Sequence, residues 1–290
     1  MLKIAYSARN TALYHPELSG TVLQSAKWPS EVALAAELSR LAYVRAEEPA
    51  RDQFARLERA LDNGGFASPT LLVNTTEDAY GYATINEDGF CILAFRGTQA
   101  DHVEDFLTNI QVMSTHWPTA GEAGSVHKGF RDSAAGLLQQ TSTWLRDVAT
   151  RRKRLLICGH SLGGAIATLL AIPFNADALI TFGCPRVGDD DFVYALESRA
   201  KLRMIRVVDC CDVVPTVPPP YMGYHHAGEA LHIDHQGQIL DSPSYSELRL
   251  DRRAGRRAYS SLWLKDPARS VPFRELADHA PINYIRAFWR

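Results

Sequence analysis

A serine set among glycines, Gly159-His160-Ser161-Leu162-Gly163-Gly164, is the residue group best suited to do chemistry. An apolar run, Leu155 to Cys158, precedes it, and a second, Ala165 to Leu170, follows. Strand, tight turn and helix in immediate succession form a nucleophile elbow. A serine hydroxyl is a poor nucleophile unaided. It needs a histidine to take its proton and backbone N–H groups to receive the oxyanion, and the elbow turn exposes it to both. Gly159 and Gly163 give room where side chains would collide, and Gly164 lets the helix pack close.

Hydrolases built on this elbow carry their partners in the order serine, acid, histidine. Asp209 and Asp212 both follow the apolar run Met204 to Val208, whereas Asp189 to Asp191 open a helix, where capping explains them. Asp212 is the better acid because it heads Val213-Val214-Pro215-Thr216-Val217-Pro218-Pro219-Pro220, a stiff segment that holds its loop in place. Asp209, at the strand edge, can bond nearby backbone instead. Later histidines are His225, His226, His232, His235 and His279. His232 and His235 straddle Asp234, and their odd spacing sends them to opposite faces of a strand, so no metal site is expected there. His279 sits on a short turn near the end of the sequence and is free to reach over the sheet edge. For the oxyanion, the donors expected are the N–H of Leu162 and one from Thr98, in the loop after the strand Phe90 to Phe95. Losing one such donor costs about 3 kcal/mol of transition-state stabilisation.

The elements that must hold these residues are legible as patterns. Ser30 caps an apolar-periodic helix, and a charged helix covers Arg51 to Leu61 and ends at Asn63-Gly64-Gly65. Strands follow at Thr70 to Asn74, Tyr80 to Asn86 and Phe90 to Phe95, the last two joined by Glu87-Asp88-Gly89 as an antiparallel hairpin. An amphipathic helix is expected over Lys128 to Thr150, then the elbow, a strand Ala178 to Phe182, a helix Asp190 to Arg199 and the strand Met204 to Val208. Strands alternating with helices of this length imply parallel crossovers and an α/β, doubly wound sheet. With 290 residues, 46% of them apolar, one large domain over 1–290 is the simplest organisation. The arginine-rich segment Ser242 to Arg269 reads as a solvated helix or loop, with a polyanion or headgroup role as the alternative.

Net charge of −2 with 22% charged residues gives no broad basic field for nucleic acid or anionic membrane. The first thirty residues lack the continuous apolar core of a secretory signal, and no stretch approaches the roughly 20 apolar residues of a membrane span. Of the five cysteines, Cys91, Cys158 and Cys184 lie in or beside apolar strands as small core residues, and the adjacent Cys210 and Cys211 are not expected to bond each other. These features favour a reducing, cytoplasmic setting, with secretion as the alternative.

Phe-Arg-Gly-Thr at 95–98, Val-His-Lys-Gly-Phe at 126–130, Gly-His-Ser-Leu-Gly-Gly at 159–164, Phe-Gly-Cys-Pro-Arg-Val-Gly at 182–188, Asp-Val-Val-Pro-Thr-Val-Pro-Pro at 212–219, His-Ala-Gly-Glu at 226–229 and the late Asp-His resemble the class 3 (fungal-type) triacylglycerol lipases. The motifs fall in order from about Ser30 to His279, and the resemblance is strongest over 30–285. It implies an α/β-hydrolase fold with a mostly parallel central sheet and helices on both faces. It also implies Ser161 as nucleophile, His279 as general base then acid, and Asp212 as the group supporting the imidazolium. The Thr98 hydroxyl would add an oxyanion donor, His127 and Arg96 would be structural, and His160 is no rival base. No cofactor is implied. The activity implied is hydrolysis of acylglycerols or related lipid esters. Phospholipase or feruloyl-type aryl esterase activity is an alternative, and an inactive α/β-hydrolase binding module is one of another class. Partners implied are a small-molecule or lipid ester and a transient lipid surface.

In such lipases the stretch after Thr98 belongs to a lid. Here Val103, Phe106, Leu107 and Ile110 recur at helical spacing, while Asp101, Glu104 and Asp105 make the other face acidic. A lid this polar points to weak interfacial activation and short to medium acyl esters. Hydrolysis of dispersed para-nitrophenyl butyrate is therefore expected to rise smoothly through the solubility limit. A steep jump in rate there contradicts the polar-lid reading.

Overall fold

A computed structural model describes residues 4–48, 52–98, 113–118 and 124–289. Its centre is built from runs that alternate their side chains between two apolar layers. Cys91, Leu93 and Phe95 of β3 (Phe90–Phe95) and Leu155 and Ile157 of β6 (Arg154–His160) enter one core. Ile92, Ala94, Leu156 and Cys158, their neighbours in sequence, enter the other. A strand buried on both faces reads as a continuous apolar run, and this one needs a helical layer on each side.

Eight strands form the main sheet. Antiparallel β1 (Thr70–Asn74) and β2 (Ala79–Ile85) lead into β3, as the hairpin pattern predicts. From β3 the sheet runs parallel through β6, β7 (Ala178–Phe182), β8 (Arg203–Asp209) and β9 (Glu229–Ile233), and β10 (Ile239–Leu240) closes the edge antiparallel. Two short strands, β4 (Ser114–His116) and β5 (Ser125–His127), pair apart from it.

Helix α1 (Asn10–Tyr14) lies near the start. Helices α2 (Glu31–Leu41) and α3 (Gln53–Asn63) cover one face of the sheet, and Ser30 caps α2 by accepting from the Ala33 N–H at 3.1 Å. The other face carries α4 (Lys128–Ala135), α5 (Leu138–Asp147) and the elbow helix α6 (Leu162–Ala171). The pattern from Lys128 to Thr150 predicts one helix where the structure has two. The break falls at Gly136, which packs so closely on β1 that a Cβ there would stand 1.8 Å from Asn74 Nδ2. Helix α7 (Asp190–Glu197) is capped by Asp189, whose carboxylate accepts from the Phe192 N–H.

The arginine-rich segment forms α8 (Tyr245–Trp263), opened by a reciprocal capping box between Ser244 and Glu247. Two more helices, α9 (Arg274–Ala277) and α10 (Pro281–Phe288), finish the chain. Among the described residues no helix is long and apolar enough to cross a membrane.

Parallel pairing has one consequence that matters for chemistry. Phe95, His160, Phe182 and Asp209 are the last residues of β3, β6, β7 and β8, so the loops that follow them open on the same edge. Ligand-handling loops of open α/β sheets gather at this carboxyl edge.

Candidate active site

Ser161 follows β6 directly and stands at the N-cap of α6 with φ 58° and ψ −129°. A left-handed φ at a residue with a Cβ is strained, and the surroundings must hold it there. Its N–H donates to the Phe182 carbonyl at 2.9 Å, which pins the elbow to the end of β7. Gly163, the second residue of the helix, meets the end of β3 so closely that a Cβ would lie 2.1 Å from the Phe95 carbonyl oxygen. That contact brings the loop Arg96–Thr98 beside the serine. Thr98 Oγ1 is buried there without a hydrogen-bond partner among the described residues, and Leu162 is the first residue of α6, where helix N–H groups have no intrahelical acceptor. Arg96 is buried behind this loop, donating to Glu47 at 2.7 Å and stacking 3.9 Å over the Tyr80 ring. It anchors the loop, as expected.

His279 meets Asp212, and both are fully buried. Nδ1 of the imidazole donates to Asp212 Oδ2 at 2.8 Å, while Nε2 has no hydrogen-bond partner among the described residues. Gly183, next to the carbonyl that holds Ser161, is packed against both: a Cβ at its φ of +56° would stand 2.8 Å from Asp212 Oδ2 and 2.9 Å from His279 Nδ1. Serine, imidazole and carboxylate therefore converge on the corner after β7. A buried carboxylate requires several donors. Asp212 has three: His279 Nδ1, the Val214 N–H at 2.9 Å on Oδ1, and the Tyr284 hydroxyl at 2.5 Å on Oδ2. Burial, and then the nearby Asp212 charge, push the Tyr284 hydroxyl well above its usual pKa, which keeps it a donor.

His160 packs its ring 4.4 Å from that of His279 and supports it from behind. Its Nε2 lies 2.8 Å from the His279 carbonyl, which can only accept, so Nε2 carries the proton. Nδ1 then accepts from the Tyr43 hydroxyl at 2.7 Å. Burial, reinforced by His279, holds the His160 pKa well below the usual imidazole range. Both nitrogens are committed and the ring stays neutral, so its duty is positioning.

Asp209 has a different role from Asp212. It is wholly buried, neither carboxylate oxygen has a partner among the described residues, and burial followed by the Asp278 charge raises its pKa well above the carboxylate range. Asp278 is also pushed up by burial, yet it accepts from the Cys211 N–H, Arg274 Nε and the Tyr6 hydroxyl. Of these two acids, Asp209 therefore carries the proton and Asp278 the charge. Tyr6 and Ser7, which bonds Asn283, tie the start of the described chain to the turn carrying His279.

Sequence patterns do not single out Tyr284, Tyr43 or Tyr6. Tyr284 has one available signal, its place on the apolar stripe of a helix begun by Pro281. The lid candidates Val103, Phe106, Leu107 and Ile110 lie outside the described residues. His127 is buried against Phe130, ring to ring at 4.2 Å. His232 lies on β9, whereas His235 falls in the turn beyond it and pairs with Asp251. All five cysteines are free and buried, with the Cys210 and Cys211 sulfurs 3.3 Å apart.

Fold and site together define an α/β-hydrolase, with elbow serine, histidine and acid at the carboxyl edge of the sheet. Comparison with known proteins agrees. The pattern of the family described as lipase (class 3) matches residues 92–222. Phospholipase A1-II 4 of rice is 28% identical over 222 residues, covering 62% of this chain and 54% of that protein. Secreted mono- and diacylglycerol lipase 1 of Fusarium solani is 30% identical over 160 residues, 52% of this chain and 46% of the relative. The crystal structure of the lipase from Rhizopus microsporus var. chinensis superposes with a TM-score of 0.61 at 25% identity, covering 71% of this chain and 74% of that one. Over residues 92–222 the chain is therefore similar to the class 3 lipases. It spans about half the length of the curated relatives it matches.

The proton on Asp209 makes a pH-dependent prediction. A folded-state pKa above the unfolded value of about 4 means that the stabilisation is complete below that pH and is lost as pH climbs towards the folded value. Asp209→Asn removes this dependence. Its melting temperature should gain on that of the unaltered chain as pH rises from about 4 to about 8. Thermal melts across that range check this, and a gap that narrows or reverses means Asp209 is ionised.

Proposed function

We propose that the chain hydrolyses carboxylic esters of glycerolipids through an acyl-enzyme, working as one α/β-hydrolase domain. Ser161 Oγ attacks the ester carbonyl while His279 Nε2 takes its proton. Asp212, bonded to Nδ1, fixes the tautomer and stabilises the imidazolium. The N–H groups of Leu162 and Thr98, with the Thr98 hydroxyl, receive the oxyanion. Collapse of the tetrahedral intermediate expels the alcohol, which leaves with the proton from Nε2. Water then repeats the sequence and releases the fatty acid.

The observation that carries this reading is the state of His279: Nδ1 committed to Asp212, Nε2 buried and unpartnered, the ring packed beside the elbow. A buried imidazole nitrogen left without a partner costs stability, and a proton-accepting task explains its retention. The match of residues 92–222 to the class 3 lipase pattern and the Fusarium relative support acylglycerols as substrate. The rice relative supports a second reading, cleavage of a phospholipid acyl ester by the same residues. For location, five thiols with no disulfide among them support a reducing, cytoplasmic compartment. The secreted Fusarium relative supports the extracellular alternative.

A panel of acylglycerol, phospholipid and aryl esters, assayed on the unaltered chain and on Ser161→Ala, tests the proposal. Acylglycerol turnover that vanishes with the serine supports it. Equal turnover by the variant sinks the serine mechanism, and turnover by neither protein sinks the proposal in favour of a binding module. In the same assays Asp212→Ala should lower kcat by about 10⁴-fold, while Asp209→Ala should cost far less. The reverse ranking moves the acid to position 209.

A further inference from the structure

Helix α8 lies beyond the residues that match the family pattern, which end at 222, and its two faces differ sharply. The inner face packs behind the site. Gly255 and Tyr259 are buried, Arg252 Nε donates to the Cys210 carbonyl at 3.0 Å, and the Gly255 carbonyl accepts from Arg274 at 2.9 Å. The helix thereby backs both the loop leading to Asp212 and the turn leading to His279.

The outer face has no such work. Arg249, Arg253 and Arg257 recur every fourth residue in an exposed row, with Arg256 alongside. Like charges at this spacing weaken a helix. The only two acids in α8 do not relieve them: Glu247 is engaged by the Ser244 cap, and Asp251 by His235. Arg256 reaches Glu275, but Arg249, Arg253 and Arg257 form no ion pair among the described residues. Tyr245, Leu250 and Leu264 flank the row, between 63% and 79% exposed. A groove of about 380 Å³ opens beside it, lined among the described residues by Tyr245, Leu248, Arg249, Arg253 and Arg256, with Arg252 at its inner side. In a chain whose net charge is −2, this is a concentrated cationic face edged by apolar side chains.

We propose that the outer face of α8 docks the protein on anionic lipid bilayers. Guanidiniums on one helical stripe, with long apolar side chains at its margins, are what a helix lying in the headgroup plane presents. The groove suits a phosphate oxygen held by more than one guanidinium. On the lipid-ester reading, docking holds the protein at a surface that supplies ester. The purpose of docking rests on the lipid-ester reading, but its test does not.

The test measures co-sedimentation of the Ser161→Ala chain, which leaves lipid intact, with vesicles of phosphatidylcholine with and without phosphatidylglycerol. Binding should require phosphatidylglycerol and weaken steeply with added salt. A chain carrying Arg249→Gln, Arg253→Gln and Arg257→Gln, its fold checked by thermal melting, should bind about a hundredfold more weakly, each charge near the surface being worth about fivefold. Equal binding to neutral vesicles, no binding to anionic ones, or undiminished binding by a folded triple variant overturns the proposal. So does retention on an oligonucleotide without any on vesicles. The first two outcomes are read on the arginine-complete chain and do not depend on how the variant folds.

Discussion

One hydrogen bond, from His279 Nδ1 to Asp212 Oδ2, joins two loops 67 residues apart and organises most of what surrounds it. Both side chains are withdrawn from water, so the carboxylate depends on its donors staying in place. Removing one partner of a buried pair of this kind costs about 3–5 kcal/mol. The structure accordingly surrounds it with supports drawn from distant segments. Tyr284 and the Val214 N–H complete the carboxylate, and His160, itself held by Tyr43, fixes the carbonyl of His279. Gly183 leaves room for the pair to meet against the elbow.

Around this bond the acids are divided by environment. Asp209, Asp212 and Asp278 are all buried within one short stretch of space, and three carboxylates could not remain charged together. Donors decide which of them do. Asp212 and Asp278 each accept three hydrogen bonds, while Asp209 accepts none. The same logic separates the histidines. His160 has both ring nitrogens engaged and is kept neutral, whereas His279 retains one free nitrogen at the corner where Ser161 stands.

Much of this arrangement is legible in the amino-acid sequence, for reasons that differ by residue. The elbow is local: a strand, a glycine-flanked serine and a helix lie within sixteen residues, 155–170, so their geometry follows from sequence spacing. The stiff proline segment points to Asp212 over Asp209, and the bond to His279 falls on Asp212. Helix periodicity over 128–150 misses the break at Gly136, where the backbone packs against Asn74 of β1, a contact that no local pattern encodes. Tyr6, Tyr43 and Tyr284 are invisible for a related reason. A tyrosine on an apolar face reads as core, and only the fold reveals which polar atom its hydroxyl meets. The arginines of α8 read as a solvated segment, and their uncompensated row emerges only when the capping box and the Asp251–His235 pair are seen to take up the acids.

The account stands on His279 activating Ser161 across the corner after β7, and an activity-based phosphonate reads that step directly. An alkyl para-nitrophenyl phosphonate should leave one adduct, located by peptide mass spectrometry on Ser161, formed rapidly in the unaltered chain and very slowly in His279→Ala. Labelling of Ser161 at equal rates in both proteins, or an adduct on another residue, would contradict it.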